Sequence, residues 1–244
     1  MKKYIYEKLN LLLFFSIGMI SGEMGWAWAD EVPDPHQIRV TQVRAEGNGC
    51  SPGSYSVVLS PDAQSLTVLF DHFQAQSGGP SAPWVDRKFC NIDIDIEFPR
   101  DWMYTLIKAD YRGFADLSAG SEGVHKVSYG FIPGQRGNGR GMFERGGHGN
   151  GSQGNFGRDF KVHLLRGPYS DNYITETTLP LDEKTPWRKC DGDEPMRIQT
   201  SITTQVDRRL AKTNAALMTL DSIDGRLEQR FGIAWRKCSR HGHH

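Results

Sequence analysis

The chain has 244 residues, of which 24% are charged, and its 29 basic and 29 acidic side chains cancel. This neutrality gives no electrostatic footprint for a nucleic acid partner. The length is sufficient to bury a substantial apolar core.

The first 29 residues follow the pattern of a cleaved signal peptide. Lys2, Lys3 and Lys8 form a basic segment, Leu9 to Ile20 is mostly apolar, and Ala27-Trp28-Ala29 gives a small-x-small cleavage site. Because a membrane-spanning helix needs about 18 or more apolar residues, this shorter run predicts export and not an anchor. Without the three lysines and two glutamates of this segment, the mature chain carries 26 basic and 27 acidic side chains. We expect it to have no membrane span and to be extracellular or periplasmic.

Four cysteines, Cys50, Cys90, Cys190 and Cys238, follow the predicted cleavage site. An even number in an oxidising compartment predicts two disulfides, and four cysteines allow three pairings. We favour the nearest-neighbour pairs, Cys50 with Cys90 and Cys190 with Cys238, which are 40 and 48 residues apart. Zinc is the competing interpretation, but the sequence lacks the C-x-x-C pairs that are typical of structural zinc sites.

Alternation of apolar and polar residues predicts strands along most of the mature chain. Ser54 to Leu59 and Ser65 to Phe70 flank the turn signal Ser60-Pro61-Asp62, which predicts a hairpin. Residues 91–98 alternate large apolar side chains with acidic or amide ones, which predicts a strand with one apolar and one acidic face. The stretch that starts at Trp102 alternates as well and should bury Trp102, Tyr104 and Leu106 on one face.

Further strands are predicted over Val124 to Ile132, Phe160 to Leu165, Arg197 to Val206 and Leu217 to Trp235. The last of these should bend back at Asp224-Gly225, which tolerates the positive φ of a type I′ turn. Residues 207–216 are either a helix or a loop. About eight to ten short strands with frequent turn residues predict an all-β fold, an antiparallel β-sandwich or jelly roll, in a single domain over residues 30–240.

Residues 134–157 lack the alternation of apolar and polar residues and contain ten glycines and the three arginines Arg136, Arg140 and Arg145. Ordering glycine costs conformational entropy, and few apolar groups here could offset that cost. We therefore expect a flexible surface loop inserted between two strands. Arginine-glycine segments also bind RNA, but export makes an anionic polysaccharide or a lipid headgroup the more accessible partner.

Several short motifs stand in a fixed order along the chain: Gly47-Asn48-Gly49-Cys50, Leu59-Ser60-Pro61-Asp62, Phe70-Asp71, Arg87-Lys88-Phe89-Cys90, Pro99-Arg100-Asp101-Trp102, Asp110-Tyr111-Arg112-Gly113-Phe114-Ala115, Gly167-Pro168-Tyr169, Asp221-Ser222-Ile223-Asp224-Gly225 and Trp235-Arg236-Lys237-Cys238. This ordered set resembles a family of secreted proteins from bacteria and fungi catalogued as domain of unknown function 4360. The resemblance spans roughly Pro35 to Cys238. It implies export, an all-β fold and pairing of the landmark cysteines, and it brings no established activity with it.

Three groups of residues have side chains that bind metals or act in acid–base catalysis. They are Asp93, Asp95 and Glu97 on one strand face; Asp191, Asp193 and Glu194, with Asp221 and Asp224, in turns; and the tail His241-Gly242-His243-His244 with His148. The first two groups would suit Ca²⁺, but we favour a solvated sheet face and turn chemistry. Carboxylates along one strand also do not converge as glycosidase chemistry requires. We interpret residues 241–244 as an unstructured tail.

The sequence gives no catalytic residue that we would assign. It has no G-x-S-x-G elbow, and His36, His72, His125 and His163 are isolated along the chain. Aromatic side chains could form a sugar-stacking platform, and Trp84, beside the Pro80-to-Pro83 loop, is the candidate for an exposed ring.

These observations lead to a secreted β-sandwich that acts by binding and not by catalysis, at a cell surface or in a matrix. A glycan or envelope polymer is the first candidate partner, with Trp84, Arg136, Arg140 and Arg145 as candidate binding residues and no bound metal or other cofactor. The alternative is a secreted hydrolase that uses carboxylates or a metal, with two acids and a histidine converging in a cleft. A third hypothesis is pairing of a sheet edge with a partner or a second copy.

Overall fold

The computed structural model describes residues 31–132, 157–220 and 229–239. It begins with a 3₁₀ helix over Pro35–Gln37. The strands that follow are β1 (Arg39–Glu46), β2 (Tyr55–Leu59), β3 (Ser65–Phe70), β4 (Gln74–Gly78), β5 (Val85–Glu97), β6 (Trp102–Leu117), β7 (Ser121–Phe131), β8 (Arg158–Asp159), β9 (His163–Arg166), β10 (Tyr169–Thr178), β11 (Met196–Val206), β12 (Ala215–Thr219) and β13 (Gln229–Lys237). The predicted signal peptide, the predicted tail and almost all of the predicted glycine-rich loop lie outside the described residues.

Two antiparallel sheets pack face to face, which confirms the predicted all-β sandwich. The first sheet has the strand order β1-β5-β11-β7-β8, and β9 also pairs with β7. The second sheet has the order β2-β3-β13-β6-β12-β4, and β10 also pairs with β6. In the part of the chain that the structure describes, no helix has the length and apolar character needed to span a membrane.

Alternation along β5 decides which of its faces meets the core. Ile92, Ile94 and Ile96 are buried between the sheets, whereas the acidic side chains between them lie on the outer face. Each buried isoleucine contributes about 1.5–3 kcal/mol relative to an exposed one. The predicted strand with one apolar and one acidic face is confirmed.

Strand β6 changes its inward-facing side halfway along. Trp102, Tyr104 and Leu106 are buried, as predicted. The register against β13 then shifts between Gly232 and Ile233, so that Ile107 has no partner residue on β13. Such a bulge moves the following residues to the opposite face, and Tyr111 is buried as a result.

The prediction that Leu217 to Trp235 folds back on itself is wrong. Strand β12 pairs with the end of β6 at residues 114–117, and β13 pairs with residues 102–111 of the same strand. Strand β10 pairs with residues 108–117 and so occupies the opposite edge of β6. At 16 residues, β6 is about 53 Å long. The shorter strands β12 and β13 can therefore follow one another along the same edge of β6. The Asp224-Gly225 dipeptide itself lies outside the described residues.

The remaining local predictions have mixed outcomes. Strands β2 and β3 pair as the predicted hairpin. Residues 208–213 form consecutive turns and no helix. The strand predicted from Phe160 begins only at His163, although Phe160 itself is buried in the core.

Both disulfides join the pairs favoured from the sequence. Cys50, in the connection after β1, is bonded to Cys90 in β5 with a Cα–Cα distance of 5.6 Å. Cys190, in the connection before β11, is bonded to Cys238 just after β13 with a Cα–Cα distance of 6.1 Å. Each bridge therefore ties an irregular segment to a sheet strand or its end, and no cysteine is free.

Candidate functional site

A groove opens where four neighbouring strands of the first sheet end. Trp84 stands at its edge, immediately before β5, and its carbonyl oxygen accepts a hydrogen bond from the Val206 backbone N–H at 2.9 Å. The indole is 38% exposed, as expected from the sequence. The guanidinium carbon of Arg208 lies 4.0 Å from the centroid of the Trp84 ring. This cation–π contact holds the ring in place while part of it stays open to solvent.

The rest of the groove is polar. One cross-strand row of the sheet, Val85, Gln205, Glu122 and Arg166, leads across β5, β11, β7 and β9. Arg166 Nε donates to Glu122 Oε1 at 3.0 Å. Amide, guanidinium and carboxylate groups therefore line a groove of about 740 Å³ beside an aromatic ring. Such a groove can combine packing against the indole with hydrogen bonds from several polar side chains.

The turn after β11 supplies the other charged groups of the groove. The Asp207 carboxylate accepts a hydrogen bond from the Arg209 backbone N–H at 2.8 Å, which shapes the turn that carries Arg208. The Asp207 N–H donates to the Gly120 carbonyl oxygen at 2.9 Å and joins this turn to the start of β7. The turn and the strand ends thus hold each other in place.

The acidic face of β5 is a ladder of ion pairs. Arg197 makes a bidentate contact with Asp93, at 2.6 and 2.7 Å. On the neighbouring strand β1, Arg44 contacts Asp95 at 3.4 Å and Arg39 contacts Glu97 at 2.7 Å. Every carboxylate of the predicted acidic face therefore has an arginine partner. This arrangement matches the favoured interpretation of a solvated sheet face.

A second groove, of about 770 Å³, contains the acidic turn next to Cys190. Asp191 has a φ of 56°, and the Gly192 N–H donates to the Lys189 carbonyl oxygen at 3.1 Å, so the segment is a tight turn. The indole of Trp187 is covered by Arg236 at 4.3 Å. Among residues 31–132, 157–220 and 229–239, no group of three or more His, Cys, Asp or Glu side chains could hold a metal ion.

The structure brings together two histidines that are far apart in sequence. His125 on β7 and His163 on β9 are cross-strand partners within the first sheet, and both rings contact Tyr173 of the second sheet. The Nε2 atom of His125 lies 3.2 Å from Thr200 Oγ1 and 3.3 Å from Gln229 Nε2. Full burial and, to a smaller extent, the neighbouring His163 lower the pKa of His125 to about 3. Burial and Lys161 lower the pKa of His163. No carboxylate of a described residue takes part in these shifts.

Most of the other predicted site residues lie outside the described part of the chain. Phe131, which precedes the glycine-rich segment, and Gly157, its last residue, line the second groove. Arg136, Arg140 and Arg145 lie outside the described residues, and their role in binding stays a prediction. The same holds for the two aspartates at 221 and 224 and for the histidine tail.

Sequence reasoning missed most of the groove. Arg208 and Arg209 fall in the stretch left open as helix or loop. Glu122, Gln205 and Arg166 stand at ends of strands whose neighbours the sequence did not reveal. The one local signal was charge, since Asp207-Arg208-Arg209 directly follows a strongly alternating strand.

Comparison with known proteins confirms the family resemblance. A family model described as domain of unknown function (DUF4360) matches residues 36–238. A curated relative from Arthroderma benhamiae (strain ATCC MYA-4681 / CBS 112371), named "Uncharacterized secreted protein", is 27% identical over 207 residues, which are 85% of this chain and 74% of the relative. With its two disulfides, the protein is a secreted β-sandwich. Because the family model covers most of the chain, the protein belongs to the family described as domain of unknown function (DUF4360).

Proposed function

We propose that this secreted β-sandwich binds an extracellular polysaccharide in the Trp84 groove and catalyses no reaction on it. The observation that carries the proposal is the Trp84 ring, which is 38% exposed and held by Arg208 beside a polar groove. Sugars present apolar C–H faces and hydroxyl edges. The indole supplies a surface for the first, and Gln205, Arg166 and Glu122 supply donors and acceptors for the second.

The acidic groups of the groove are engaged in its structure. Glu122 is held by Arg166 at 3.0 Å, and Asp207 accepts a backbone hydrogen bond from the turn that it begins. The buried histidine nearest in sequence, His125, lies on the opposite face of β7 from Glu122, between the sheets. These positions favour polysaccharide binding without catalysis over the alternative, a hydrolase that uses carboxylates.

A Trp84→Ala variant tests the proposal. The oxidised protein, incubated with a panel of insoluble and soluble polysaccharides, should bind at least one of them in pull-down and affinity electrophoresis. We expect the variant to lose about tenfold in affinity, equivalent to about 1.4 kcal/mol, because an anchoring aromatic side chain at a binding site contributes at least that much.

Trp187→Ala is the matched control. It also removes an indole that is covered by an arginine, but from the second groove. Binding should survive this change. Binding to no polysaccharide of the panel, or a loss caused by Trp187→Ala and not by Trp84→Ala, would contradict the proposal.

A further inference from the structure

Charge is distributed unevenly over the outer face of the first sheet. At one end, the carboxylates of β5 are neutralised by Arg39, Arg44 and Arg197 in the ion-pair ladder. At the other end, next to the Trp84 groove, Arg87 and Lys126 are exposed and form no ion pair with any described residue. The ion-pair ladder is therefore neutral in itself, whereas the end next to the Trp84 groove is cationic.

The cationic end is a regular surface of cross-strand neighbours. Arg87, Thr203, Val124 and Leu164 form one row across β5, β11, β7 and β9, and Phe89, Ser201 and Lys126 form the next. We refer to these two rows as the Arg87–Lys126 surface. Phe89 is 36% exposed and Leu164 is 45% exposed. The surface thus places apolar groups between two cations that form no ion pair with any carboxylate in the described part of the chain.

This surface continues directly from the groove. The row Val85, Gln205, Glu122 and Arg166, of which the last three residues line the groove, is two residues away along each strand from the row that contains Arg87. From the groove row to the row of Phe89 the distance is about 14 Å along the strands, and four strands span about 14 Å across. A polymer that leaves the groove would therefore meet the Arg87–Lys126 surface next.

The groove and the Arg87–Lys126 surface together carry a net positive charge. Arg87, Lys126, Arg166, Arg208 and Arg209 supply five positive charges, against the two negative charges of Glu122 and Asp207. Guanidinium groups bind carboxylates through short, charge-assisted hydrogen bonds, often in pairs. A ligand with repeated carboxylates complements this excess, whereas a neutral polymer would leave it unused.

We infer that the polysaccharide bound by this protein is anionic, with repeated carboxylate groups, and that it extends from the Trp84 groove across the Arg87–Lys126 surface. The inference rests on the proposed function and names its ligand class. Trp84 and the apolar Phe89 and Leu164 contact sugar faces, and Arg87 and Lys126 contact carboxylates. The neutral ion-pair ladder marks the far limit of the surface.

The test uses the full oxidised protein and ligands that differ only in charge. Polygalacturonate is compared with its fully methyl-esterified form, which has the same backbone without the carboxylates. We expect at least about tenfold tighter binding to the charged form, and this preference should fall when NaCl rises from about 0.05 M to about 0.5 M, because salt screens exposed charges.

An Arg87→Gln/Lys126→Gln variant should bind polygalacturonate about three- to tenfold more weakly, since two exposed charge contacts are lost. Arg112→Gln/Lys184→Gln is the matched control: it removes two exposed cations located elsewhere on the molecule, which likewise form no ion pair among the described residues. Its affinity should stay unchanged.

The possible failures are distinguishable. Equal binding of both polymers, lost in Trp84→Ala, would leave the proposed function standing and overturn the inference of an anionic ligand. Binding of neither polymer, with Arg87- and Lys126-dependent binding to phosphatidylglycerol vesicles, would assign the surface to a lipid membrane and overturn both.

Discussion

Removal of the Cys50–Cys90 bridge in a Cys50→Ala/Cys90→Ala variant is expected to lower the free energy of unfolding by more than about 4 kcal/mol. Closing a loop of this length, with a separation of 40 residues, accounts for about 4 kcal/mol in the chain-entropy model. Both cysteines are also buried, with 2% and 0% exposure. Alanine therefore removes packed sulfur atoms in addition to the cross-link. Guanidinium chloride unfolding of the oxidised protein measures the loss.

A Cys190→Ala/Cys238→Ala variant separates the two contributions. Its bridge has a similar separation of 48 residues, and hence a similar entropic term of about 4 kcal/mol. Both of its cysteines are only partly buried. We expect the smaller loss for this variant. A larger loss than for Cys50→Ala/Cys90→Ala would show that burial of the first bridge does not add to stability.

The surroundings of Cys50 explain why the first bridge should matter more. The connection from β1 to β2 crosses from the first sheet to the second and runs close against β5. A Cβ atom on Gly47, whose φ is +150°, would lie 2.1 Å from the Phe89 carbonyl oxygen. The Gly49 N–H donates to that same oxygen at 3.0 Å. The bridge fixes this connection at a place where only glycine permits the approach.

Local pattern was sufficient to predict the strands but not their arrangement. The alternation in β5 identifies its core face because the period of a strand is two residues, and the structure buries Ile92, Ile94 and Ile96 accordingly. Strand order depends on contacts between residues far apart in sequence. The Asp224-Gly225 dipeptide has the local chemistry of a reversing turn, yet β12 and β13 line one edge of β6 because β6 is long enough to pair with both.

The candidate site shows the same division between local and distant information. Trp84 could be predicted as exposed because its proline-flanked loop is a local feature. Its partners come from β7, β9 and the turn after β11, and only the pairing of Gln205 with Val85 and Glu122 brings them together. The pairing of His125 with His163 was hidden for the same reason, since 38 residues separate them and they meet only as neighbours across β7 and β9.

Acid is expected to destabilise the protein through His125. Its pKa is lowered from 6.5 to about 3 by burial, so the folded state holds the neutral ring while the unfolded state takes up a proton below pH 6.5. The stabilisation is therefore complete above pH 6.5 and is lost as the pH falls towards 3. The slope reaches about 1.4 kcal/mol per pH unit and sums to about 5 kcal/mol over this range. His163, whose pKa is also lowered by burial, adds to the same trend.

A His125→Gln variant should flatten this acid dependence. The glutamine amide can keep a hydrogen bond to Thr200 and does not titrate, so the variant should lose about 1–2 kcal/mol at neutral pH but less than the wild type on acidification. His36→Gln, at an exposed position, should keep the wild-type profile. Urea unfolding at a series of pH values measures all three proteins. The ring of His125 is buried beside Tyr111 and Gln229, and protonating it would place a charge between the sheets. An unchanged dependence of stability on pH in His125→Gln would therefore show that acid destabilises the protein through other groups.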